Sequence, residues 1–82
     1  MKLTYDPRHN IAYLRLRSKT DQVETIRVSD ELNVDIAPDG TIHGLEFLNA
    51  NAQLRMSDGG NLVVVNEADG ERSEIPLTGA AA

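Results

Sequence analysis

Cysteine and tryptophan are absent from this chain of 82 residues, and its aromatic side chains are limited to two tyrosines and one phenylalanine. Without cysteine, disulfide bonds and thiolate metal sites are excluded. A domain this short buries only roughly 60% of the surface that its unfolded chain exposes, so its apolar core is thin. Small domains without disulfides gain stability from a metal or from association with further chains. We therefore expect oligomerisation.

Long apolar segments are lacking as well. No stretch approaches the ~20 residues that a membrane-spanning helix needs, and residues 1–7 do not contain the apolar segment of a signal peptide. These absences favour a cytoplasmic protein that does not bind membranes. The chain also has no phosphate-binding glycine loop, and His9 and His43 lack the neighbouring ligands of a metal site. No cofactor and no metal are expected.

Basic residues are scarce, and they are unevenly distributed. The net charge is −5, yet residues 1–27 carry six basic side chains and three acidic ones, which leaves a charge of −8 for residues 28–82. An acidic chain is unsuited to general binding of nucleic acid. The imbalance favours attraction of a second copy of the chain or of a basic protein partner. A solvated surface with chance clustering accounts for it equally well.

Apolar and polar residues alternate in short runs through most of the chain, and this period of two is typical of half-buried β-strands. Pro38-Asp39-Gly40 is a hairpin signal, because glycine supplies the positive φ of a tight turn. A short helix follows, capped by Asn49 or Asn51, and a final hairpin closes the chain. The predicted strands are residues 2–5, 11–17, 23–28, 32–36, 41–48, 61–66 and 71–77, and the predicted helix is 50–56.

These elements predict a mainly β protein of the α+β class. Its expected architecture is an antiparallel sheet of about five to seven strands with one short helix packed on it. Because no linker divides the chain, residues 1–82 are expected to form a single domain. Within it, residues 1–56 form the sheet and helix, 57–78 the C-terminal hairpin and 79–82 a tail. Pro76 cannot donate a backbone hydrogen bond, so the last strand should lie at an edge.

The run Leu62, Val63, Val64 and Val65 carries no charge and has a high β-propensity. An uncovered strand of this kind pairs readily with other chains. One short helix offers little cover, so these four residues are predicted to form the interface of a homodimer or larger assembly, through this hairpin or through the exposed face of the sheet.

Asp35, His43 and Glu46 are the candidate catalytic residues. Alternation places Asp35 and Glu46 on the same polar face of two joined strands, and paired carboxylates act as acid and base when their environments separate their pKa values. The competing interpretations are solvated carboxylates and an outward-facing strand histidine. If Asp35, His43 and Glu46 instead form a site, the alternative function is a small hydrolase or ligand-binding domain with that site between subunits.

Tyr13, Arg15 and Arg17 alternate along one strand and share a face. An aromatic ring between basic side chains can stack on a base and neutralise a phosphate of single-stranded nucleic acid. Pairing with acidic residues on a neighbouring strand accounts for these residues as well. With a net charge of −5, nucleic-acid binding is not expected.

Five segments stand out when taken in order: Tyr5-Asp6-Pro7, residues 12–16, residues 24–28, residues 32–36 and the stretch 39–50. Together they resemble a small bacterial family known as "domain of unknown function 2283", and the resemblance covers about residues 1–55. It implies a short, mostly stand-alone protein, and it supplies no catalytic residues. Some members are suspected to accompany small toxin-like proteins, which implies an antitoxin-like binding role.

Taken together, the residues and the resemblance predict a non-enzymatic, oligomeric protein-interaction module whose acidic surface meets a protein partner. The hydrolase or ligand-binding domain stays the alternative. A purely structural subunit of a larger assembly is the third possibility.

Overall fold

A computed structural model describes residues 1–18, 22–55 and 58–77. The chain divides into two compact units, residues 1–51 and residues 52–82. The predicted tail at 79–82 lies outside the described residues. That the whole chain behaves as a single domain stays a prediction.

The first unit is a five-stranded antiparallel sheet with the strand order β1-β2-β5-β4-β3. A hairpin and a meander build it: β1 pairs with β2, and β3, β4 and β5 form a meander whose last strand pairs with β2. β5 is therefore the central strand. The strands are β1 (Lys2–Asp6), β2 (Ile11–Arg15), β3 (Glu24–Ser29), β4 (Leu32–Ile36) and β5 (Ile42–Leu48).

The strand register gives this sheet one apolar face. Leu3, Leu14, Leu45, Val34 and Ile26 stand opposite one another on successive strands and form a row across all five. Directly opposed residues of antiparallel strands share a face. The apolar positions of the alternating sequence therefore meet on one side, and the polar positions meet on the other.

The buried core is small. Among the described apolar residues only Ala12, Ala37 and Ala50 are buried, and no large side chain is fully buried. Ile26, at the β3 end of the apolar row, is 42% exposed. The other four members of the row are partly buried in a single copy of the chain.

The helix α1 (Ala50–Arg55) begins with a cap from a distant turn. Asn10, between β1 and β2, accepts the N–H of Ala50 with its carbonyl at 3.1 Å and the N–H of Asn51 with its side-chain oxygen at 2.6 Å. The side chain of Asn49 bonds to Glu31 instead. The prediction that Asn49 or Asn51 caps the helix is therefore wrong, because a residue 40 positions earlier supplies the acceptors.

The second unit contains a 3₁₀ turn (Asp58–Gly60) and a two-stranded antiparallel sheet of β6 (Asn61–Val65) and β7 (Arg72–Pro76). Pro76 lies in β7, which is an edge strand as predicted. The mainly β class is confirmed, with one short α-helix among the described residues. No helix in this part of the chain is long and apolar enough to cross a membrane.

Candidate functional site

The polar face of the five-stranded sheet carries a chain of side-chain hydrogen bonds. The Tyr13 hydroxyl on β2 donates to Asp35 Oδ2 on β4 at 2.8 Å. The other oxygen, Asp35 Oδ1, accepts a hydrogen bond from the Thr25 hydroxyl on β3 at 2.7 Å. Since β5 lies between β2 and β4, the tyrosine reaches across a whole strand. One carboxylate thus connects side chains from three strands.

Gly44 makes this reach possible. It stands on β5, opposite Arg15 on one side and Asp35 on the other. A Cβ atom at position 44 would lie 2.2 Å from the Tyr13 hydroxyl oxygen and 2.5 Å from its ring carbon Cζ. Non-bonded carbon atoms normally approach to ~3.5–4.0 Å. The tyrosine ring therefore passes directly over the glycine backbone, where any other side chain would displace it. We call Tyr13, Thr25, Asp35 and Gly44 the Tyr13 network.

Glu46 lies beside this network on the same face. It stands opposite Tyr13 on β2 and opposite Asn33 on β4. Its Oε1 accepts a hydrogen bond from Asn33 Nδ2 at 2.9 Å. Asp35 and Glu46 thus share the polar face, but they are bonded to different partners.

Burial, the hydrogen bond to Asp35 and the negative charges of Asp35 and Glu46 together raise the pKa of Tyr13 to about 12, and burial is the largest of these causes. The phenol is therefore protonated at neutral pH and acts as a donor. Because both Asp35 oxygens already accept hydrogen bonds, this carboxylate is poorly placed to take a proton from a substrate. The arrangement is suited to bracing the sheet.

His43 lies on β5 directly before Gly44. It is 6% exposed, and its Nδ1 atom is buried without a hydrogen-bond partner among the described residues. The prediction of an outward-facing histidine is therefore wrong. Pairing jumps from Gly44 to Ile42 at this point, so His43 is the extra residue of a β-bulge, which redirects side chains locally.

The three candidate catalytic residues therefore do not form one hydrogen-bonded group: Asp35 and Glu46 share the polar face, and neither is bonded to His43 in the described part of the chain. In the part of the chain that the structure describes, no group of three or more acidic or histidine side chains is placed to hold a metal ion.

Tyr13, Arg15 and Arg17 are only partly brought together. Arg15 is exposed on the polar face, opposite Lys2 and Gly44. β2 ends at Arg15, two residues earlier than predicted, so Arg17 lies beyond the strand. The Arg17 Nε–H donates a hydrogen bond to the Ile42 carbonyl at 3.2 Å. The Tyr13 ring already covers Gly44 on one side, so it has one side at most for stacking.

The predicted interface residues form most of β6. Leu62 and Val64 share a face with Ile75 of β7, and these three side chains are 46%, 47% and 49% exposed. Val63 and Val65 point to the other side, where Val65 is 51% exposed. We call Leu62, Val64 and Ile75 the apolar hairpin face.

The turn between β6 and β7 is acidic. Asn66 Oδ1 accepts the N–H of Ala68 at 2.9 Å, and Asp69 Oδ1 accepts the N–H of Glu71 at 2.8 Å. These side-chain acceptors replace backbone partners that a tight turn lacks. Three exposed carboxylates, from Glu67, Asp69 and Glu71, form what we call the acidic tip.

The comparison with protein families matches residues 2–51 to the family described as "Protein of unknown function (DUF2283)". The chain belongs to this family. The resemblance seen in the sequence is thereby confirmed, over almost the whole of the first unit. Searches of curated proteins and of solved structures found no match.

The DUF2283 segment contains the whole polar face, and the apolar hairpin face and the acidic tip lie outside it. Sequence analysis did not single out Thr25, Asn33 or Gly44. Thr25 and Asn33 alternate with apolar residues, so strand parity alone could have placed them on the polar face. The role of Gly44 depends on which strand lies next to β5, which parity does not reveal.

Proposed function

We propose that this DUF2283 protein is a non-enzymatic protein-interaction module that works as a homo-oligomer and binds a basic protein partner, in the manner of an antitoxin. One observation carries the proposal: no large apolar side chain in the described part of the chain is fully buried. A domain whose large apolar side chains are at least partly exposed is stabilised when another protein covers them.

The exposed apolar residues support association in particular. Besides the apolar hairpin face, Val23, Ile26, Val28 and Val65 are between 41% and 60% exposed. Single exposed apolar residues are ordinary on protein surfaces. Here they occur together on two short elements, the β3 strand with its preceding residue and the β6–β7 hairpin. Exposed apolar side chains grouped on an element in this way favour contact with protein.

The charge distribution supports a basic partner. Residues 28–82 carry a net charge of −8, and the acidic tip concentrates three carboxylates on one turn. Opposite charges across an interface accelerate encounter and exclude partners of like charge. A small basic protein, such as a nuclease that binds RNA through cationic side chains, is complementary to this surface.

The oligomer is tested by thermal unfolding at different protein concentrations. Association that stabilises only the folded chain makes the melting temperature rise with concentration. We expect a clear rise over a hundredfold range from micromolar upward. A melting temperature that does not depend on concentration would contradict the oligomeric part of the proposal.

The partner is tested by affinity capture from the host's extract at low salt, followed by a salt gradient. We expect a basic protein that is released as salt screens the contact. The control is the chain with Glu67→Gln, Asp69→Asn and Glu71→Gln, which keeps the turn acceptors and removes three charges. Equal capture by both chains, or capture of nothing at any salt concentration, would contradict the basic-partner part.

A further inference from the structure

We propose that two copies of this chain associate through the free edge of β6, which pairs antiparallel with itself around a two-fold axis at Val63. This inference rests on the proposed oligomer and names its interface. It joins the two hairpins into one four-stranded sheet. A two-stranded sheet alone is marginally stable in water, whereas a wider sheet with an apolar face is stable.

The charges of the edge strands select β6. The two described sheets present four edge strands, namely β1, β3, β6 and β7. Charged side chains along an edge hinder pairing with another chain, and so do bulges. β6 is the one edge strand of these four without a charged residue, since each of the others carries one basic and one acidic side chain. β3 also contains a bulge between Arg27 and Ser29.

The hydrogen-bond pattern of the hairpin leaves the right backbone groups free. Leu77 donates to the Gly60 carbonyl at 3.0 Å, and Asn66 donates to the Glu71 carbonyl at 2.8 Å. Because hydrogen-bonded pairs alternate along antiparallel strands, even-numbered residues of β6 bond to β7. The N–H and C=O groups of Asn61, Val63 and Val65 point the other way. The described backbone bonds outside the ladder use none of them.

The β7 edge is closed by the same rule. Its outward backbone groups belong to Arg72, Glu74 and Pro76, which stand opposite Val65, Val63 and Asn61. Pro76 has no N–H to offer. An incoming strand on this side therefore meets two charges and a missing donor.

Pairing β6 with itself satisfies every free group in one register. With Val63 opposite Val63 of the second copy, Asn61 stands opposite Val65 and Leu62 opposite Val64. All three outward residues of each copy then form hydrogen-bonded pairs, about six bonds in all. A shift by two residues leaves one of the three outward residues of each copy without a partner.

The same register unites the apolar side chains. A two-fold axis perpendicular to the sheet keeps each side chain on its own face, so the two apolar hairpin faces become one continuous patch of six side chains. Glu74 does not meet its copy, because the two stand three strand spacings apart, about 14 Å. That separation exceeds the screening length of ~8 Å at physiological ionic strength.

The test compares Val63→Pro with Glu74→Pro by sedimentation of the full chain. Val63 and Glu74 are directly opposed, and the N–H group of each points away from the other strand, so neither substitution removes a backbone hydrogen bond between β6 and β7. Glu74→Pro also removes the long side-chain bond that Asn61 Nδ2 donates to Glu74 Oε1 at 3.4 Å, which lies within one copy. Val63→Pro removes one donor from each copy at the centre of the interface. We expect the dissociation constant to rise about 100-fold for Val63→Pro and to stay unchanged for Glu74→Pro.

Association of Val63→Pro as tight as that of the unmodified chain would overturn this interface and leave the proposed oligomer standing. Equal weakening by both substitutions would overturn it too. An unmodified chain that sediments as a monomer would refute the oligomer itself.

A second measurement does not depend on the proline variants folding well. The chain has no cysteine, so Val63→Cys introduces a single thiol. Hydrogen-bonded antiparallel pairs have Cα atoms ~5.5 Å apart, within the range of a disulfide. We expect Val63→Cys to oxidise rapidly to a covalent dimer and Glu74→Cys to stay a monomer, as seen on a non-reducing gel. Equal rates for the two variants would overturn the proposal.

Discussion

The DUF2283 sheet and the C-terminal hairpin differ in how their side chains are used. In the sheet, Tyr13, Thr25 and Asp35 connect strands by side-chain hydrogen bonds, and Asn10 fastens a turn to the start of the helix. In the hairpin, the short-range side-chain bonds of Asn66 and Asp69 shape the turn. The apolar hairpin face is about half exposed.

This difference indicates which interactions stabilise each unit. The sheet has polar bonds that cross several strands, so single substitutions there should cost free energy within one chain. The hairpin has only a two-stranded ladder, and its apolar face is about half exposed. Its stability should therefore depend on another protein surface that covers this face. The predictions below test this contrast.

The largest effect is expected for Gly44→Ala. The new methyl group overlaps the Tyr13 ring, so the ring must move and its bond to Asp35 breaks. We expect a loss of about 2–3 kcal/mol in the free energy of unfolding, measured by urea denaturation. Gly70→Ala in the hairpin turn is the control: φ is +78° and nothing lies near the added methyl. It should lose about 1 kcal/mol from backbone strain alone. Equal losses of unfolding free energy for the two variants would contradict the stabilising role of the Tyr13 network.

A somewhat smaller loss is expected for Asn10→Ala, which removes the acceptor for Asn51 N–H and places alanine at a φ of +60°. We expect about 2 kcal/mol, from the lost cap and the strained backbone. Asn10→Gly, which relieves the strain and still lacks the cap, should lose about half as much. If Asn10→Gly has the same free energy of unfolding as the unmodified protein in urea denaturation, the cap contributes nothing to stability.

Tyr13→Phe keeps the ring over Gly44 and deletes the donor to Asp35. We expect a loss of about 1 kcal/mol at neutral pH.

The high-pH behaviour of Tyr13 provides a further test. Its folded pKa of about 12 lies above the ordinary value of 10.0, so the folded protein holds the phenolic proton more tightly than the unfolded chain. This stabilisation is complete below pH 10 and is lost as pH rises through 12. The unfolding free energy of the unmodified protein should therefore fall more steeply between pH 10 and 12 than that of Tyr13→Phe. Parallel curves would contradict the hydrogen-bonded, buried phenol.

The smallest effect is expected at the turn between β1 and β2. The hydrogen bond from the His9 side chain lowers the pKa of Asp6, and bonds from the His9 and Arg8 N–H groups add to it. A lowered carboxyl pKa stabilises the fold above the ordinary value of 3.8 and is lost as pH falls through the folded pKa. The melting temperature of the unmodified protein should therefore drop slightly more below pH 4 than that of Asp6→Asn. An identical drop in melting temperature for the two proteins below pH 4 would contradict a stabilising role of the Asp6 carboxylate.

Strand alternation, together with turn residues, was sufficient to predict six of the strands, and the uncharged run of high β-propensity predicted β6; all boundaries lie within about two residues of the structure. Val34 and Asp35 illustrate why: neighbouring residues of a strand point to opposite faces, so polarity reveals the face. Glu46 was assigned to the polar face by the same reasoning. The family resemblance was carried by runs of such residues, and the match over residues 2–51 confirms it.

Long-range contacts were not predictable in this way. Asn10 caps a helix that begins 40 residues later, and Tyr13 meets Asp35 because β5 inserts between their strands. The bulge at His43 reversed its expected exposure, since one extra residue changes the local pairing. Strand order and bulges arise from the packing of distant segments, which local periodicity does not encode.

Static light scattering of the unmodified chain at micromolar concentration tests the central claim most directly. No large apolar side chain in the described part of a single copy is fully buried, so we expect a molar mass that is a multiple of the 9.0 kDa chain, and the β6 pairing predicts the twofold multiple. A uniform species of 9.0 kDa would contradict the claim that a second copy covers this surface.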